Sequence, residues 1–206
     1  MTLPFLLTLT RLWIGPLFLW IYSCYEGLGI PFVLLPYILL GLLLFSELSD
    51  VCDGYFARKY KQVTDLGKVL DPMVDSIYRI SVFFAFTLPP IDLPIFWVFG
   101  ILYRDWFVNL LRTICALRGY ALSARTSGKL KAIIQAGAAF LTVTLMMLSS
   151  QGYLSLGKLQ SLSTFILSIA SIYSMCSGLD YLYANRIYLI SSFAQKKDCT
   201  NVAKSG

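Results

Sequence analysis

The 206-residue sequence has no histidine and few charged residues, and both shortages narrow what the protein can be. Only 14% of its residues are Asp, Glu, Lys or Arg, against about 25% in soluble domains. Without histidine, histidine metal ligands, histidine general bases and Ser-His or Cys-His dyads are excluded. The five cysteines are odd in number and form no C-x-x-C pair, which predicts neither a disulfide framework nor a zinc site. Any chemistry must therefore use carboxylates, Lys, Arg, Tyr or Cys.

Apolar residues are abundant: 57% of the sequence is hydrophobic and the mean hydropathy is +0.70. A bilayer core of roughly 30 Å needs about 20 mostly apolar residues per helix. Runs of this kind, without the polar alternation of barrel strands, lie at 6–25, 32–49, 70–88, 94–116, 130–149 and 159–183. The runs predict an all-α, polytopic membrane protein with six transmembrane helices. We expect a six-helix domain over 1–190 and a C-terminal tail over 191–206.

The basic residues are unevenly distributed among the connections between these runs. Four Lys or Arg residues lie between the second and third runs, four from Arg118 to Lys131 at the connection between the fourth and fifth and the start of the fifth, and four after the sixth, whereas the opposite connections hold only Lys158. The positive-inside rule places the basic side in the cytoplasm. An even number of spans then puts both termini there. Topology and attraction to anionic lipid headgroups explain part of the net charge of +6, but not Arg79, Arg104 and Arg112, which lie inside apolar runs. A nucleic-acid partner is not expected.

Two pairs of aspartates face each other across the connection between the second and third runs. Asp50 and Asp53 are three residues apart, and Asp71 and Asp75 are four apart, so each pair shares one face of a helix. Four carboxylates brought together by an antiparallel helix pair repel one another unless cations lie between them. One or two hard divalent cations such as Mg²⁺ would suit these oxygen ligands. The alternative is that they are solvated helix ends, with Asp71 as an N-cap before Pro72.

This segment resembles the signature of the CDP-alcohol phosphatidyltransferase family. It reads Asp50-x-x-Asp53-Gly54-x-x-Ala57-Arg58, followed by Gly67-x-x-x-Asp71-x-x-x-Asp75, and every fixed position of the signature has its expected residue. The resemblance implies a membrane enzyme that cleaves a CDP-activated lipid, passes its phosphatidyl group to an alcohol and releases CMP. It implies that the four aspartates hold two divalent metal ions, Mg²⁺ or Mn²⁺, that Asp71 is also catalytic, and that Asp75 is the base for the acceptor hydroxyl. It implies a CDP-binding set made of Asp50, Asp53, Gly54, Ala57, Arg58 and Gly67.

A second segment, from Tyr103 to Lys131, carries six cations near the predicted cytoplasmic side. Guanidinium groups match phosphate geometry, so these cations suit a phosphorylated acceptor. The segment resembles the branch of the family that uses glycerol 3-phosphate, with Asp105 where Glu is usual. The expected substrates are CDP-diacylglycerol and glycerol 3-phosphate. The candidate residues for the acceptor phosphate are Arg104, Arg112, Arg118, Arg125, Lys129, Lys131 and Arg186.

Other functions stay open at this point. The same chemistry could serve inositol phosphate, serine or phosphatidylglycerol as acceptor, although an unphosphorylated acceptor leaves the cations without an evident task. A cation transporter could also use carboxylates within a membrane, but transporter sites usually lie near the midplane between repeats. The resemblance further implies a homodimer in contact with membrane lipids. It also implies a multi-pass protein of the cell inner membrane whose active site faces the cytoplasm.

Overall fold

A computed structural model describes the backbone of residues 3–59, 65–117 and 126–194, and the side chains of 10–52, 71–115 and 126–186. The described residues form six α-helices and no strand, which confirms the all-α fold class. Their bounds are α1 Leu3–Cys24, α2 Leu35–Lys59, α3 Asp65–Ala85, α4 Ile95–Leu117, α5 Thr126–Ser150 and α6 Leu156–Ala194.

Each predicted apolar run coincides with one helix, but two helices continue past their runs. α2 extends to Lys59 and α6 to Ala194, both beyond the point where the hydropathy falls. Hydropathy reports burial in lipid, whereas backbone hydrogen bonding continues through any residues that favour a helix. α6 therefore crosses the predicted boundary at residue 190, and the division into a domain and a tail stays a prediction.

Within the part of the chain that the structure describes, three helices contain segments long and apolar enough to cross a membrane: Leu35–Cys52, Thr126–Ser150 and Leu156–Arg186. α4 has 23 residues but carries Arg104, Asp105 and Arg112. These findings indicate a membrane protein. The predicted number of six spans is not established by them.

Asp71 is not an N-cap, contrary to the alternative weighed from the sequence. α3 begins at Asp65, so that Pro72 lies inside the helix. The Ser76 hydroxyl donates to the Pro72 carbonyl at 2.8 Å. Helix capping therefore does not explain why Asp71 stands next to Pro72. A clear helix end occurs instead at Gly152, whose φ of 84° lets the Tyr153 amide donate to the Leu148 carbonyl at 3.0 Å.

An aromatic cluster packs α1 against the C-terminal end of α3. Phe18 and Tyr22 of α1 contact Phe86, the residue that directly follows α3, edge-on, each with ring centroids 6.0 Å apart, and all three side chains are buried. The Tyr22 hydroxyl also donates to the Leu88 carbonyl at 3.3 Å. Helix α1 packs against both α2 and α3. This packing fixes the position of Arg11, about two turns before Phe18 on α1.

Candidate active site

One polar cavity of about 280 Å³ gathers charged side chains from five helices. Carboxylates of α2 and α3 lie on one side, and cations of α4 and α5 on the other. The charged and amide-bearing residues that line it are Arg11, Asp50, Asp71, Asp75, Arg79, Arg104, Asn109, Arg112, Lys129 and Lys131. The two segments singled out in the sequence therefore meet at one cavity.

We call the carboxylate side, made of Asp50, Asp71 and Asp75, the acidic wall. Asp50 and Asp75 are 49% and 30% exposed, but the Arg11 guanidinium between them is only 2% exposed. Arg11 Nη1 donates to Asp50 Oδ1 and lies 3.5 Å from Asp75 Oδ1. A buried cation from α1 thus bridges carboxylates of two other helices.

Arg79 holds the opposite side of Asp75. Its Nε lies 3.3 Å from Asp75 Oδ2, and its Nη1 donates to the Ala132 carbonyl at 2.9 Å. The same Nη1 lies 3.7 Å from Glu47 Oε1. Because Arg79 is buried and reaches α5 as well as α2, it fixes Asp75 relative to the helix that carries the lysines.

We call the cation side, made of Arg104, Arg112, Lys129 and Lys131, the basic wall. Its buried counter-charge is Asp105, which is 1% exposed. Lys131 Nζ donates to both Asp105 oxygens at 2.6 Å, and Arg104 Nη1 donates to Oδ1 at 3.0 Å. Lys131 is itself buried. Asp105 therefore neutralises and orients Lys131 and Arg104 together.

Helix α6 supports both arginines of the basic wall. Arg104 Nη2 donates to the Ser177 hydroxyl at 2.9 Å, and Arg112 Nε donates to the Tyr181 hydroxyl at 3.4 Å. The Arg112 guanidinium also lies 5.2 Å from the centroid of the Tyr181 ring. A Cβ at Gly178 would stand 2.7 Å from Arg104 Cγ, so the absence of a side chain there lets Arg104 cross α6.

Lys129 is the exposed cation of this wall. It lies in the first turn of α5, which begins at Thr126, and it lines the cavity together with Gly128. A helix N-terminus presents free amides and a partial positive charge to anions. A lysine at this position adds a full charge to that field, an arrangement that suits a phosphate.

Several predicted site residues lie elsewhere or outside the described part. The side chains of Asp53, Gly54, Ala57, Arg58 and Gly67 are not among those described, and Arg118 and Arg125 lie outside the described residues altogether. Arg186 is exposed and does not line this cavity. Its guanidinium stands 4.1 Å from the Tyr183 ring centroid and donates to the Tyr183 carbonyl at 3.3 Å.

The acidic wall has the donor chemistry of a divalent cation site. Carboxylate oxygens are hard ligands, and the buried Arg11 guanidinium already stands where two of them attract positive charge. Within the described side chains no group of three or more His, Cys, Asp or Glu is arranged to hold a metal ion. The side chain of Asp53 is not among those described.

Sequence reasoning did not assign Arg11, Asn109, Ser177 or Tyr181 to the site. Arg11 had a signal, since an ionisable residue inside an apolar run is expensive and usually has a partner. Asn109, which donates to the Ser76 hydroxyl at 3.4 Å, and the two α6 residues had none. Their role depends on which helices are neighbours, and hydropathy does not report that.

Residues 1–179 match the family model described as CDP-alcohol phosphatidyltransferase. The chain is 30% identical over 142 residues to CDP-diacylglycerol–glycerol-3-phosphate 3-phosphatidyltransferase of Treponema pallidum, covering 65% of each chain. It is 31% identical over 152 residues to the protein of the same name from Rickettsia bellii, covering 73% of this chain and 81% of the relative. A Streptomyces coelicolor cardiolipin synthase (CMP-forming) is 32% identical over 120 residues, or 58% of this chain and 54% of the relative.

Proposed function

The chain belongs to the CDP-alcohol phosphatidyltransferase family, and we propose that it transfers the phosphatidyl group of CDP-diacylglycerol to glycerol 3-phosphate. The products are phosphatidylglycerophosphate and CMP. The names of the Treponema and Rickettsia relatives state this reaction for those proteins. The observation that carries the proposal here is the single cavity lined by both walls.

The two walls meet different needs of this reaction. The donor's diphosphate develops negative charge as its bond to CMP breaks, and the acceptor brings a phosphate monoester of about −1.5 to −2 charge. Arg112 and Lys129 offer cationic contacts to that monoester at the cavity. Arg104 lies beside them but is tied to Asp105 and Ser177. We assign the acceptor phosphate chiefly to Arg112 and Lys129, with Arg104 and Lys131 shaping the wall behind them.

Members of this family generally depend on divalent metals. We propose that Asp50, Asp53, Asp71 and Asp75 hold two ions, Mg²⁺ or Mn²⁺, as the donor chemistry of the acidic wall allows. When bound, such ions neutralise charge on the transferring and leaving oxygens.

Asp75 is the proposed general base. The acceptor hydroxyl oxygen forms a bond to the donor phosphorus, its proton passes to the Asp75 carboxylate, and the phosphorus–oxygen bond to CMP breaks with its electron pair leaving on CMP. Arg11 and Arg79 hold this carboxylate from both sides. No histidine exists to take the proton instead. A positioned base of this kind contributes about 10²–10⁴-fold to a rate.

The remaining assignments follow from family resemblance. We propose that Gly54, Ala57, Arg58 and Gly67 complete the CDP-binding set with Asp50 and Asp53. The small residues would let the cytidine approach the backbone, and Arg58 would lie by the diphosphate. Arg118 and Arg125 stay proposed phosphate contacts. Arg186 stays one as well, although it does not line the cavity.

The orientation of the protein in its membrane and its oligomeric state are also proposed. We infer a multi-pass protein of the cell inner membrane, surrounded by its lipids, with both termini and the active site on the cytoplasmic side. The unequal distribution of Lys and Arg supports this orientation. A homodimer is proposed from the family. The exposed apolar side chains of α4, such as Phe99 and Trp106, can face either lipid or a second copy.

A second candidate activity has one observation in its favour, the similarity to a cardiolipin synthase, whose acceptor would be phosphatidylglycerol. That acceptor carries one charge on a phosphodiester, whereas glycerol 3-phosphate carries a monoester of higher charge. Two exposed or half-exposed cations at one cavity suit the monoester better. Inositol phosphate, like glycerol 3-phosphate, carries a phosphate monoester, whereas serine carries no phosphate.

The test is an acceptor screen with purified protein and CDP-diacylglycerol labelled in the cytidine. We expect CMP release with glycerol 3-phosphate and Mg²⁺ or Mn²⁺, and little with glycerol, serine, inositol phosphate or phosphatidylglycerol. Chelation of divalent ions should stop the release. Faster CMP release with phosphatidylglycerol would establish the second candidate and sink the first.

A further inference from the structure

Arg11 occupies an unusual place for a positive charge if the acidic wall takes divalent ions. Among the α1 side chains that the structure describes, from residue 10 onward, it alone lines the cavity, and it is 2% exposed. Its Nη1 contacts a carboxylate oxygen of Asp50 on α2 and lies 3.5 Å from one of Asp75 on α3. Both carboxylates, by contrast, are open to the cavity.

The position of Arg11 is fixed from outside the site. The aromatic contacts of Phe18 and Tyr22 hold α1 against α3, so the guanidinium cannot leave with its helix. Since its side chain is long, it can still swing away from one carboxylate while α1 stays in place. Asp75 keeps a second cationic neighbour in Arg79, whose Nε is 3.3 Å from Oδ2, so Arg11 is not needed there for neutrality alone.

A guanidinium and a divalent ion compete for the same carboxylate oxygens. When the metal is absent, Arg11 lowers the repulsion between the carboxylates of Asp50 and Asp75, because it contacts both. When a metal binds, the same positive charge repels it or must withdraw from an oxygen. Anything that stabilises the metal-free state more than the metal-bound state lowers the apparent affinity for the metal.

We propose that Arg11 is a positioning residue that stands in for a cation in the metal-free site and thereby weakens metal binding. This inference rests on the proposed function in one respect, namely that Asp50 and Asp75 are metal ligands. It goes beyond that function because it predicts that removing a cavity residue strengthens metal binding. Arg11 would keep the carboxylates close enough to receive the ions and keep the ions exchangeable.

The experiment compares wild type with Arg11→Gln in detergent micelles, using Mn²⁺ as the probe. Free Mn²⁺ is measured by electron paramagnetic resonance during titration, and the unfolding midpoint is recorded with chelator and with saturating Mn²⁺. We expect Arg11→Gln to have a lower midpoint in chelator and a larger rise with Mn²⁺. Its Mn²⁺ Kd should be about twofold to fivefold tighter than wild type, the size of a partly exposed ion-pair interaction.

Two further variants serve as controls for the charge and the position of Arg11. Arg11→Lys keeps the charge, so its Mn²⁺ Kd should stay within about twofold of wild type even if its midpoint falls. Lys158→Gln removes the same charge at an exposed position away from the cavity and should change neither quantity. If Arg11→Gln is recovered only in the presence of Mn²⁺, the stand-in role is supported, since the metal then replaces the missing cation.

Unchanged or weaker Mn²⁺ binding by Arg11→Gln would overturn the proposal. Asp75→Asn separates this failure from that of the proposed function. If wild type binds Mn²⁺ and Asp75→Asn does not, the carboxylates are ligands and only the inference on Arg11 fails. If wild type and Asp75→Asn bind alike, the metal assignment fails, and the role of Arg11 fails with it.

Discussion

The two walls of the cavity carry opposite charges, but both combine exposed charges with a buried counter-charge. On the acidic wall the carboxylates of Asp50 and Asp75 face the cavity, and the arginines that neutralise them are buried. On the basic wall Lys129 and Arg112 face the cavity, and the carboxylate that neutralises their neighbours, Asp105, is buried. At each wall the exposed charges have one sign, and the opposite sign is carried by buried side chains.

This contrast separates residues by task. A charge that is open to the cavity can contact substrate or metal, whereas its buried partner is already committed to protein atoms. A buried ion pair adds little net stability but is costly to break. We therefore expect loss of an exposed member to change binding or rate, and loss of a buried member to change stability as well.

The largest effect is expected at Asp75. Asp75→Asn keeps the shape of the side chain but cannot take the acceptor proton, so CMP release should fall by about 10²–10⁴-fold. The assay is cytidine-labelled CDP-diacylglycerol with glycerol 3-phosphate. Glu26→Gln is the matched control, because Glu26 is an exposed acid outside the cavity that accepts from the Tyr25 hydroxyl. If Asp75→Asn releases CMP at the wild-type rate, Asp75 is not the general base.

The second effect tests the buried side of the basic wall. Asp105→Ala leaves Lys131 buried without its carboxylate and should destabilise the protein by about 3–5 kcal/mol. Thermal unfolding in micelles measures this loss. The double variant Asp105→Leu/Lys131→Met removes the buried ion pair, while Arg104 keeps its contact to Ser177, and it should be more stable than Asp105→Ala. If the double variant is no more stable than Asp105→Ala, the loss of stability in Asp105→Ala does not come from the unpaired charge of Lys131.

The third effect concerns Lys129, the exposed member of the same wall. Lys129→Ala removes one charge-assisted contact to the acceptor phosphate and should raise the KM for glycerol 3-phosphate by about tenfold. The KM for CDP-diacylglycerol and the unfolding midpoint should change little. Equal increases in both KM values would show that Lys129 does not distinguish the acceptor from the donor.

The smallest effect is expected where α6 supports the basic wall. Tyr181→Leu removes the ring beneath Arg112, a contact of about 0.5–1 kcal/mol, and should raise the KM for glycerol 3-phosphate about twofold to fivefold. Tyr181→Phe keeps the ring and loses only a 3.4 Å hydrogen bond, so it should lie near wild type. If the two variants behave alike, the hydroxyl and not the ring supports Arg112.

The helices could be predicted from the sequence because apolar runs and helices coincide in a membrane protein. Turn residues such as Pro31 and Gly152 mark the breaks between them. The run over 32–49 predicts the start of α2 but not its end at Lys59. Hydropathy falls where the chain leaves the apolar region, and the helix need not end there.

The site could be predicted only in part, since residue spacing describes one helix at a time. The aspartate and arginine segments were predicted to lie near the same surface, and the described members line one cavity. The sequence suggested that α2 and α3 alone bring the carboxylates together. In the structure α1 packs on both helices and inserts Arg11. Likewise, Lys131 was predicted to bind phosphate, but its Nζ contacts Asp105.

Crossed binding measurements on one set of preparations test the division of tasks between the two walls most directly. Mn²⁺ and labelled glycerol 3-phosphate are each titrated into wild type, Asp75→Asn and the double variant Arg112→Ala/Lys129→Ala. We predict that Asp75→Asn loses Mn²⁺ and keeps glycerol 3-phosphate, and that the double variant loses glycerol 3-phosphate and keeps Mn²⁺. Loss of both ligands by either variant, with the fold intact, would contradict the account.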